Sequence, residues 1–252
     1  MSLPIRAEGR APDTLRPVDF QPDYIIYPEG SVLIATGNTR VLCNVSIERG
    51  VPPWLESQTG QAGWITAEYA MLPRSTHTRT SRETGAPKAR SQEIKRLIGR
   101  SLRAGFDLER LGPITCIVDC DVLQADGGTR TASITGGYVA LAMALFRRVK
   151  AGQTPSEVFK PPVAAVSAGL IDGQILLDLD YGEDSRAEVD ANLVMNAQGD
   201  YLEAQMTAER TPLARSQLEA LLGIGERGIR QLLDRQLETL GGHGFPIQDL
   251  PS

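Results

Sequence analysis

Residues 114–147, ITCIVDCDVLQADGGTRTASITGGYVALAMALFR, decide the fold of this chain. Residues 114–123 are rich in β-branched side chains, which predicts a strand. A glycine-rich stretch follows over 125–137, and apolar residues then recur at helical spacing. These apolar residues are Ile134, Tyr138, Leu141 and Leu145. A strand, a glycine loop and an amphipathic helix in this order predict an α/β protein.

Upstream of this unit, residues 24–47 predict a β-hairpin, because alternating apolar residues flank the turn pair Gly37-Asn38. Residues 73–90, PRSTHTRTSRETGAPKAR, have no apolar periodicity and predict an exposed loop. The next segment is predicted to be an amphipathic helix whose polar face is basic. Its apolar face carries Ile94, Leu97, Ile98 and Leu102.

Downstream of the unit, the same order of strands and then helices repeats. Residues 163–170 and 175–181 flank Asp172-Gly173, which predicts a second hairpin. Two further strands are predicted over 191–195 and 201–207. A helix is predicted to open at Thr211-Pro212 and to continue past a group of glycines. Those glycines are Gly223, Gly225 and Gly228.

Strands followed by helices, twice, predict two similar βα halves packed as one unit. We place the first half at 1–150 and the second at 151–240, with the boundary in the Pro- and Gly-containing linker 151–162. The residues after 240 are expected to form a loose tail over 241–252.

The composition is that of a folded protein: 252 residues, with 41% hydrophobic and 23% charged residues. No apolar run approaches the ~20 residues of a membrane-spanning helix, so no membrane association is expected. The start, MSLPIRAEGR, lacks an apolar signal region, so a cytoplasmic location is expected. Three cysteines argue against a disulfide framework, and the distant His77 and His243 argue against a zinc site.

The net charge of −5 is unevenly distributed, because residues 74–103 contain nine basic and two acidic residues. Such a basic run favours salt-dependent binding of a phosphate backbone. A solvated basic face explains the run equally well.

The glycine loop is a candidate anion site. Gly127 and Gly128 let the backbone approach an oxyanion, Thr129 adds a hydroxyl and Arg130 a guanidinium, at the positive end of the predicted helix. The loop lacks the lysine of a Walker motif and the GxGxxG spacing of dinucleotide-binding loops. Arg90, which ends the basic loop, is a candidate second guanidinium. A plain glycine turn and a solvated arginine are the alternatives.

A cluster of acidic residues is the third candidate. Six carboxylates within thirteen residues repel one another unless a cation or a proton lies between them. They are Asp178, Asp180, Glu183, Asp184, Glu188 and Asp190. Mg²⁺ suits such a place. A straight strand would hold Asp184 and Asp190 about 20 Å apart, so joint action requires a bend near Ser185-Arg186. A polar loop is the alternative.

Six segments together carry a family resemblance. They are RAEGRAPDTLRPV at 6–18, GNTRVLCNV at 37–45, WITAEYAMLPRSTHTR at 64–79, EIKRLIGRSLRA at 93–104, CDVLQADGGTRTASITGG at 120–137 and LDLDYGEDSRAEVDANLVM at 177–195. Over about residues 3–240 the chain resembles the ribonuclease PH family, bacterial phosphorolytic 3′-to-5′ exoribonucleases that trim tRNA precursors and also run in reverse as nucleotidyltransferases.

The resemblance implies roles for particular residues. Phosphate, the co-substrate, would be held by Arg90, Gly128, Thr129 and Arg130. Asp184 and Asp190 would serve in catalysis and in binding Mg²⁺. The basic loop would contact RNA through Arg74, Arg79 and Arg82.

The resemblance also implies two halves of the ribosomal protein S5 domain 2-like type and a homohexamer built as a trimer of dimers. The main alternative function is a non-catalytic RNA-binding ring subunit of an exosome-like assembly. A nucleotide-dependent kinase is disfavoured because the glycine loop lacks the Walker lysine.

Overall fold

The computed structural model describes residue 6 and residues 9–59, 62–82 and 89–251. The first half contains a five-stranded sheet in the order β1-β2-β3-β5-β4. Its strands are β1 (Val18–Pro22), β2 (Gly30–Thr36), β3 (Thr39–Arg49), β4 (Trp64–Met71) and β5 (Ile114–Gln124). β4 runs parallel to β5, and the other pairs are antiparallel. The predicted hairpin is confirmed, with Gly37 in the turn at φ +55°.

Four helices belong to the described part of the first half. They are α1 (Pro53–Thr59), α2 (Ala89–Ala104), α3 (Leu108–Leu111) and α4 (Thr129–Lys150). Of these, α2 and α4 pack on this sheet. The predicted apolar face of α2 is buried, as is every residue of α4 from Thr131 to Phe146. The three cysteines lie in this core as free thiols. α4 is therefore the central helix of the molecule.

The second half repeats the order of strands and then a helix. Its elements are β6 (Val163–Ile171), β7 (Gln174–Leu177), α5 (Tyr181–Asp184), β8 (Val189–Asn196), β9 (Tyr201–Ala208) and α6 (Arg215–Gly242). The four strands form an antiparallel sheet in the order β7-β6-β8-β9. The prediction of an α/β protein with two similar halves is confirmed.

Polar side chains join the two halves around α4. Gln236 in α6 donates through Nε2 to the carbonyl oxygens of Thr135 (2.9 Å) and Val163 (3.0 Å). Thr135 in turn donates to the carbonyl of Ala165 in β6. The buried Gln236 amide nitrogen thus links α6 to α4 and to the start of the second sheet.

Two predicted boundaries are wrong. The strand predicted over 175–181 ends at Leu177, because Asp178 has a left-handed backbone (φ +53°) and Asp180 caps α5 by accepting from the Glu183 N–H. The helix predicted to open at Thr211-Pro212 begins at Arg215, where the Gln217 side chain accepts from the Ala214 N–H.

The segment after Gly241, expected to be loose, packs against the first half as far as Leu250. The Phe245 ring stacks on Phe146 with centroids 5.4 Å apart, and Ile247 and Leu250 contact the same core. Within the described residues, no helix combines the length and apolarity needed to cross a membrane.

Two glycines of α6 allow a matched stability test. A Cβ at Gly225 would lie 2.1 Å from Cδ1 of the buried Leu193, whereas at Gly223 the nearest atom is 3.9 Å away. We expect Gly225→Ala to destabilise the fold by about 1–3 kcal/mol through overpacking. Gly223→Ala should stabilise it by about 1 kcal/mol, because alanine is the better helix former. Urea unfolding measures both, and equal effects would contradict this packing.

Candidate active site

The loop between β5 and α4 presents the start of a long helix to a cleft. Gly127 and Gly128 both have left-handed backbones, at φ +75° and +66°. A Cβ at Gly127 would lie 2.4 Å from the Leu179 carbonyl oxygen, so the loop abuts the second half closely. No side chain among the described residues caps α4 at Gly128. Its first backbone N–H groups are therefore available to an anion.

A buried ion pair holds this loop in place. Arg16 binds both carboxylate oxygens of Asp178, at 2.6 Å from Nη2 and 3.0 Å from Nε, and both side chains are 7% exposed. Arg16 also donates to the carbonyl of Asp126, next to Gly127. Thr39 supports the same loop by donating to the Gly127 carbonyl at 2.6 Å. Asp178 is therefore structural in this arrangement, as is the capping residue Asp180.

A cleft of about 510 Å³ lies in front of the loop. It brings together the predicted phosphate-binding and carboxylate residues from both halves. Those that line it are Arg90, Gly128, Thr129, Arg130, Asp184 and Asp190.

The bend that the two aspartates require is present. α5 ends at Asp184, and the chain then turns, with the Ala187 N–H donating to the Asp184 carbonyl at 3.2 Å. β8 begins two residues later and places Asp190 in the cleft. Burial raises the pKa of Asp184, while Arg90 and Arg130 oppose the rise. Burial and then the nearby Asp184 raise the pKa of Asp190. The cleft therefore contains carboxyl groups that hold protons more tightly than in water.

Arg90 lies in a different element from the one predicted. The sequence predicts Arg90 at the end of the basic loop. In the structure α2 begins at Ala89, so Arg90 lies in the first turn of the helix. Residues 83–88, including Lys88 and Glu83 of the basic run, are outside the described residues. Arg90 still lines the cleft, opposite the glycine loop.

Arg130 is oriented by side chains that sequence reasoning missed. Its Nη1 donates to Oε1 of Gln205 in β9 at 3.1 Å and lies 3.6 Å from Oε1 of Glu93. Gln205 donates through Nε2 to Glu93, which fixes the direction of the amide. This arrangement anchors one nitrogen of the guanidinium and leaves its others for a ligand.

Tyr69 was also missed. Its hydroxyl lies 2.9 Å from Oγ1 of Thr129, and burial raises the pKa of the phenol. The alternation in β4 carries the signal, since Ile65, Ala67 and Tyr69 are all buried on one face. A tyrosine hydroxyl on a buried face indicates a hydrogen-bond partner nearby, which here is Thr129.

The three arginines predicted to contact RNA lie on an exposed segment beside the cleft. Arg74, Arg79 and Arg82 are all exposed, and Arg74 donates to the His77 carbonyl at 2.7 Å. The segment is not wholly exposed as predicted, because Ser75 is buried and its carbonyl accepts from the Ala125 N–H. The basic segment is thus attached directly to the glycine loop.

A helix N-terminus, two guanidinium groups and two carboxyl groups around one cleft define an α/β enzyme that acts on phosphate esters. Residues 14–146 match the family model described as 3′ exoribonuclease family, domain 1, and residues 161–228 match domain 2. The chain belongs to the ribonuclease PH family of phosphorolytic 3′ exoribonucleases, which confirms the resemblance seen in the sequence.

Relatives and solved structures agree with this assignment. The chain is 52% identical to Ribonuclease PH of Bacillus subtilis over 240 residues, covering 94% of this chain and 97% of that protein. It is 54% identical to Ribonuclease PH of Corynebacterium efficiens over 238 residues, covering 94% and 96%.

Two solved structures share the fold. Rice (Oryza sativa) Rrp46 aligns with a TM-score of 0.76 at 20% identity, covering 94% of this chain and all of that one. The Archaeoglobus fulgidus exosome with RNA bound to the active site aligns with a TM-score of 0.77 at 22% identity, covering 92% of each chain.

The contacts of Arg130 predict a graded loss of phosphate affinity. Arg130→Ala should raise the KM for phosphate about tenfold or more, because it removes a charged donor. Gln205→Leu should raise it about two- to tenfold, the effect of losing one hydrogen bond. The KM for RNA at low salt should change less in both. Glu203→Ala, on the same strand, is the control, and equal losses for RNA and phosphate would argue against this role.

The raised pKa of Asp190 predicts a change in the pH dependence of stability. A folded-state pKa above the unfolded value means that this carboxyl stabilises the fold only while protonated, and the stabilisation is lost as pH rises through the folded pKa. Asp190→Asn removes the charge and keeps an acceptor for Asn192. We expect the Tm to rise by a few degrees near neutral pH and to be unchanged at about pH 3.

Thermal unfolding across pH measures this effect, and exposed Asp234→Asn is the control. A lower Tm of Asp190→Asn near neutral pH would show that the ionised carboxylate is stabilising, contrary to the burial argument.

Proposed function

We propose that the chain removes nucleotides from the 3′ ends of tRNA precursors by phosphorolysis, in the cytoplasm, releasing nucleoside diphosphates. One observation carries the proposal: the anion loop, Arg90, Arg130 and the two aspartates line a single cleft. The family assignment supplies the phosphate-dependent 3′-to-5′ activity. The choice of tRNA rests on the resemblance and on the exposed basic segment.

The residues of the cleft suit an in-line displacement. An oxygen of inorganic phosphate attacks the phosphorus of the last phosphodiester, the bond from that phosphorus to the 3′ oxygen of the preceding nucleotide breaks, and this oxygen takes up a proton. Two anions must meet for this to occur, and Arg90, Arg130 and the first N–H groups of α4 offset their repulsion. The reaction is reversible because one phosphate linkage replaces another.

We assign Asp184 as the group that gives the proton to the departing oxygen. Asp184 is exposed to the cleft, and partial desolvation there raises its pKa, so it holds a proton more readily than a fully solvated aspartate. Asp190 lies close enough to Asp184 that the Asp184 carboxylate raises its pKa, and two such carboxyl groups do not ionise independently.

Mg²⁺ fits the same two carboxylates. Among the described residues, no group of three or more His, Cys, Asp or Glu side chains is placed to hold a metal. Mg²⁺ commonly binds through one or two carboxylates and completes its shell with water and phosphate oxygens. Asp184 and Asp190 would hold the ion in their ionised form, so metal binding and the protonated form of Asp184 are alternative states of the site. When bound there, it would supply positive charge to the scissile phosphate.

The proposed assembly is a homohexamer built as a trimer of dimers, with Arg74, Arg79 and Arg82 directing RNA toward the cleft. Solved structures of this fold include the archaeal exosome core, which supports a ring. The exposed arginines form a non-specific phosphate-binding surface beside the glycine loop.

The alternative is a non-catalytic ring subunit that only binds RNA. The described cleft argues against it, because the anion loop, the two guanidinium groups and both aspartates are all present in one place. A subunit without catalytic activity has no need of two carboxyl groups with raised pKa values at that position.

The decisive test is product analysis on a tRNA with a short 3′ extension. We expect shortening to require phosphate and to release nucleoside diphosphates, resolved by chromatography. Adding excess nucleoside diphosphate should reverse the reaction and lengthen the RNA. Monophosphate release in phosphate-free buffer would refute the proposal. Equal trimming of an unstructured RNA would refute only the choice of tRNA.

A further inference from the structure

The wall of the cleft next to the aspartates carries an exposed aromatic side chain that the reaction scheme leaves without a role. Tyr181 is 55% exposed and lines the cleft. We propose that its ring is the stacking platform for the base of the 3′-terminal nucleotide, the one that leaves as a nucleoside diphosphate. The inference rests on the proposed function and names the site that holds the leaving nucleoside.

Tyr181 lies close to Asp184, the proposed proton donor, and therefore beside the proposed position of the reacting phosphate. Tyr181 is the first residue of α5 and Asp184 is the last, so one helical turn separates them. Side chains three positions apart on a helix lie on the same face, with Cβ atoms about 5–6 Å apart. A base attached to the nucleotide under attack at Asp184 therefore lies within reach of the Tyr181 ring.

The same residue is attached to the phosphate loop. The Tyr181 N–H donates to Oδ1 of Asp126 at 3.3 Å, and Asp126 precedes Gly127. The close approach of Gly127 to Leu179 and Asp180 brings the two segments into contact. A nucleoside diphosphate with its terminal phosphate at the loop thus extends along α5, and the base arrives at Tyr181.

The chemistry of the wall favours stacking over base-specific hydrogen bonding. Among the described residues that line the cleft, the aromatic ones are Tyr181 and His77. Their ring centroids are 6.0 Å apart at an angle of 56°, so the imidazole supports the phenol and leaves no room for a base between them. Stacking accepts every base, as required of an enzyme that removes successive nucleotides.

The test compares Tyr181→Leu with Tyr181→Phe. The leucine variant removes the ring and should raise the KM for RNA, and the KM for ADP in the reverse reaction, about fivefold or more. The KM for phosphate should change little. The phenylalanine variant should restore most of the affinity, because it keeps the ring. Tyr24→Leu, at an exposed tyrosine outside the cleft lining, is the matched control.

Direct titration of the protein with ADP gives a readout that needs no turnover. Weaker ADP binding by Tyr181→Leu alone supports the inference. Unchanged ADP and RNA constants in that variant would overturn it, as would a phenylalanine variant as defective as the leucine one. An effect on RNA with none on ADP would place the ring at the preceding nucleotide and also overturn it. A native protein without phosphorolysis would instead refute the proposed function, while the titration would still test Tyr181.

Discussion

The buried pair of Arg16 and Asp178 is the contact on which the cleft depends. It ties three separate segments together: the chain before β1, the loop that opens α4, and the junction between β7 and α5. Both side chains are 7% exposed, and removing Asp178 would leave the Arg16 guanidinium buried without its carboxylate partner. Arg10 lies 3.8 Å from the Asp178 carboxylate and would compensate only part of the loss of Arg16. The ion pair also fixes the path of the chain. The left-handed backbone of Asp178 ends strand β7 at the point where its carboxylate binds the Arg16 guanidinium.

The consequence is that each half supplies a different part of one site. The first half provides positive charge through Arg90 and Arg130 together with the start of α4, and the second half provides Asp184 and Asp190. A second ion pair joins the two halves next to this site, because Arg6 binds both carboxylate oxygens of Glu183, at 2.6 and 2.7 Å. Carboxyl groups with raised pKa values and permanently charged guanidinium groups thus line one cleft, at a boundary that buried ion pairs bridge.

Local patterns predicted most of the fold, and long-range contacts account for what was missed. The Gly37-Asn38 turn and the apolar faces of α2 and α4 are set by neighbouring residues, so their periodicity predicted them. The alternating residues after Leu177 also resemble a strand, but Arg16, far away in sequence, takes Asp178 out of that conformation. For the same reason the glycine loop was predicted as an anion site, whereas Tyr69 and Gln205 contact it from other strands. The alternation in β4 shows that Tyr69 is buried, but no local pattern shows which residue its hydroxyl meets, and Gln205 gives no local signal.

The charge distribution explains how an acidic protein can act on RNA. The net charge of −5 repels a polyanion at a distance. Screening limits that repulsion to about 10 Å at ordinary ionic strength, so the RNA contacts proposed for the arginines beside the cleft would act at close range despite the net charge. Within the cleft, desolvation raises the pKa of Asp184 and of Asp190, so neutralising these groups costs less than neutralising free carboxylates. Arg90 and Arg130 oppose the rise at Asp184, so the guanidinium groups proposed to bind phosphate also set how readily that carboxyl gives up its proton.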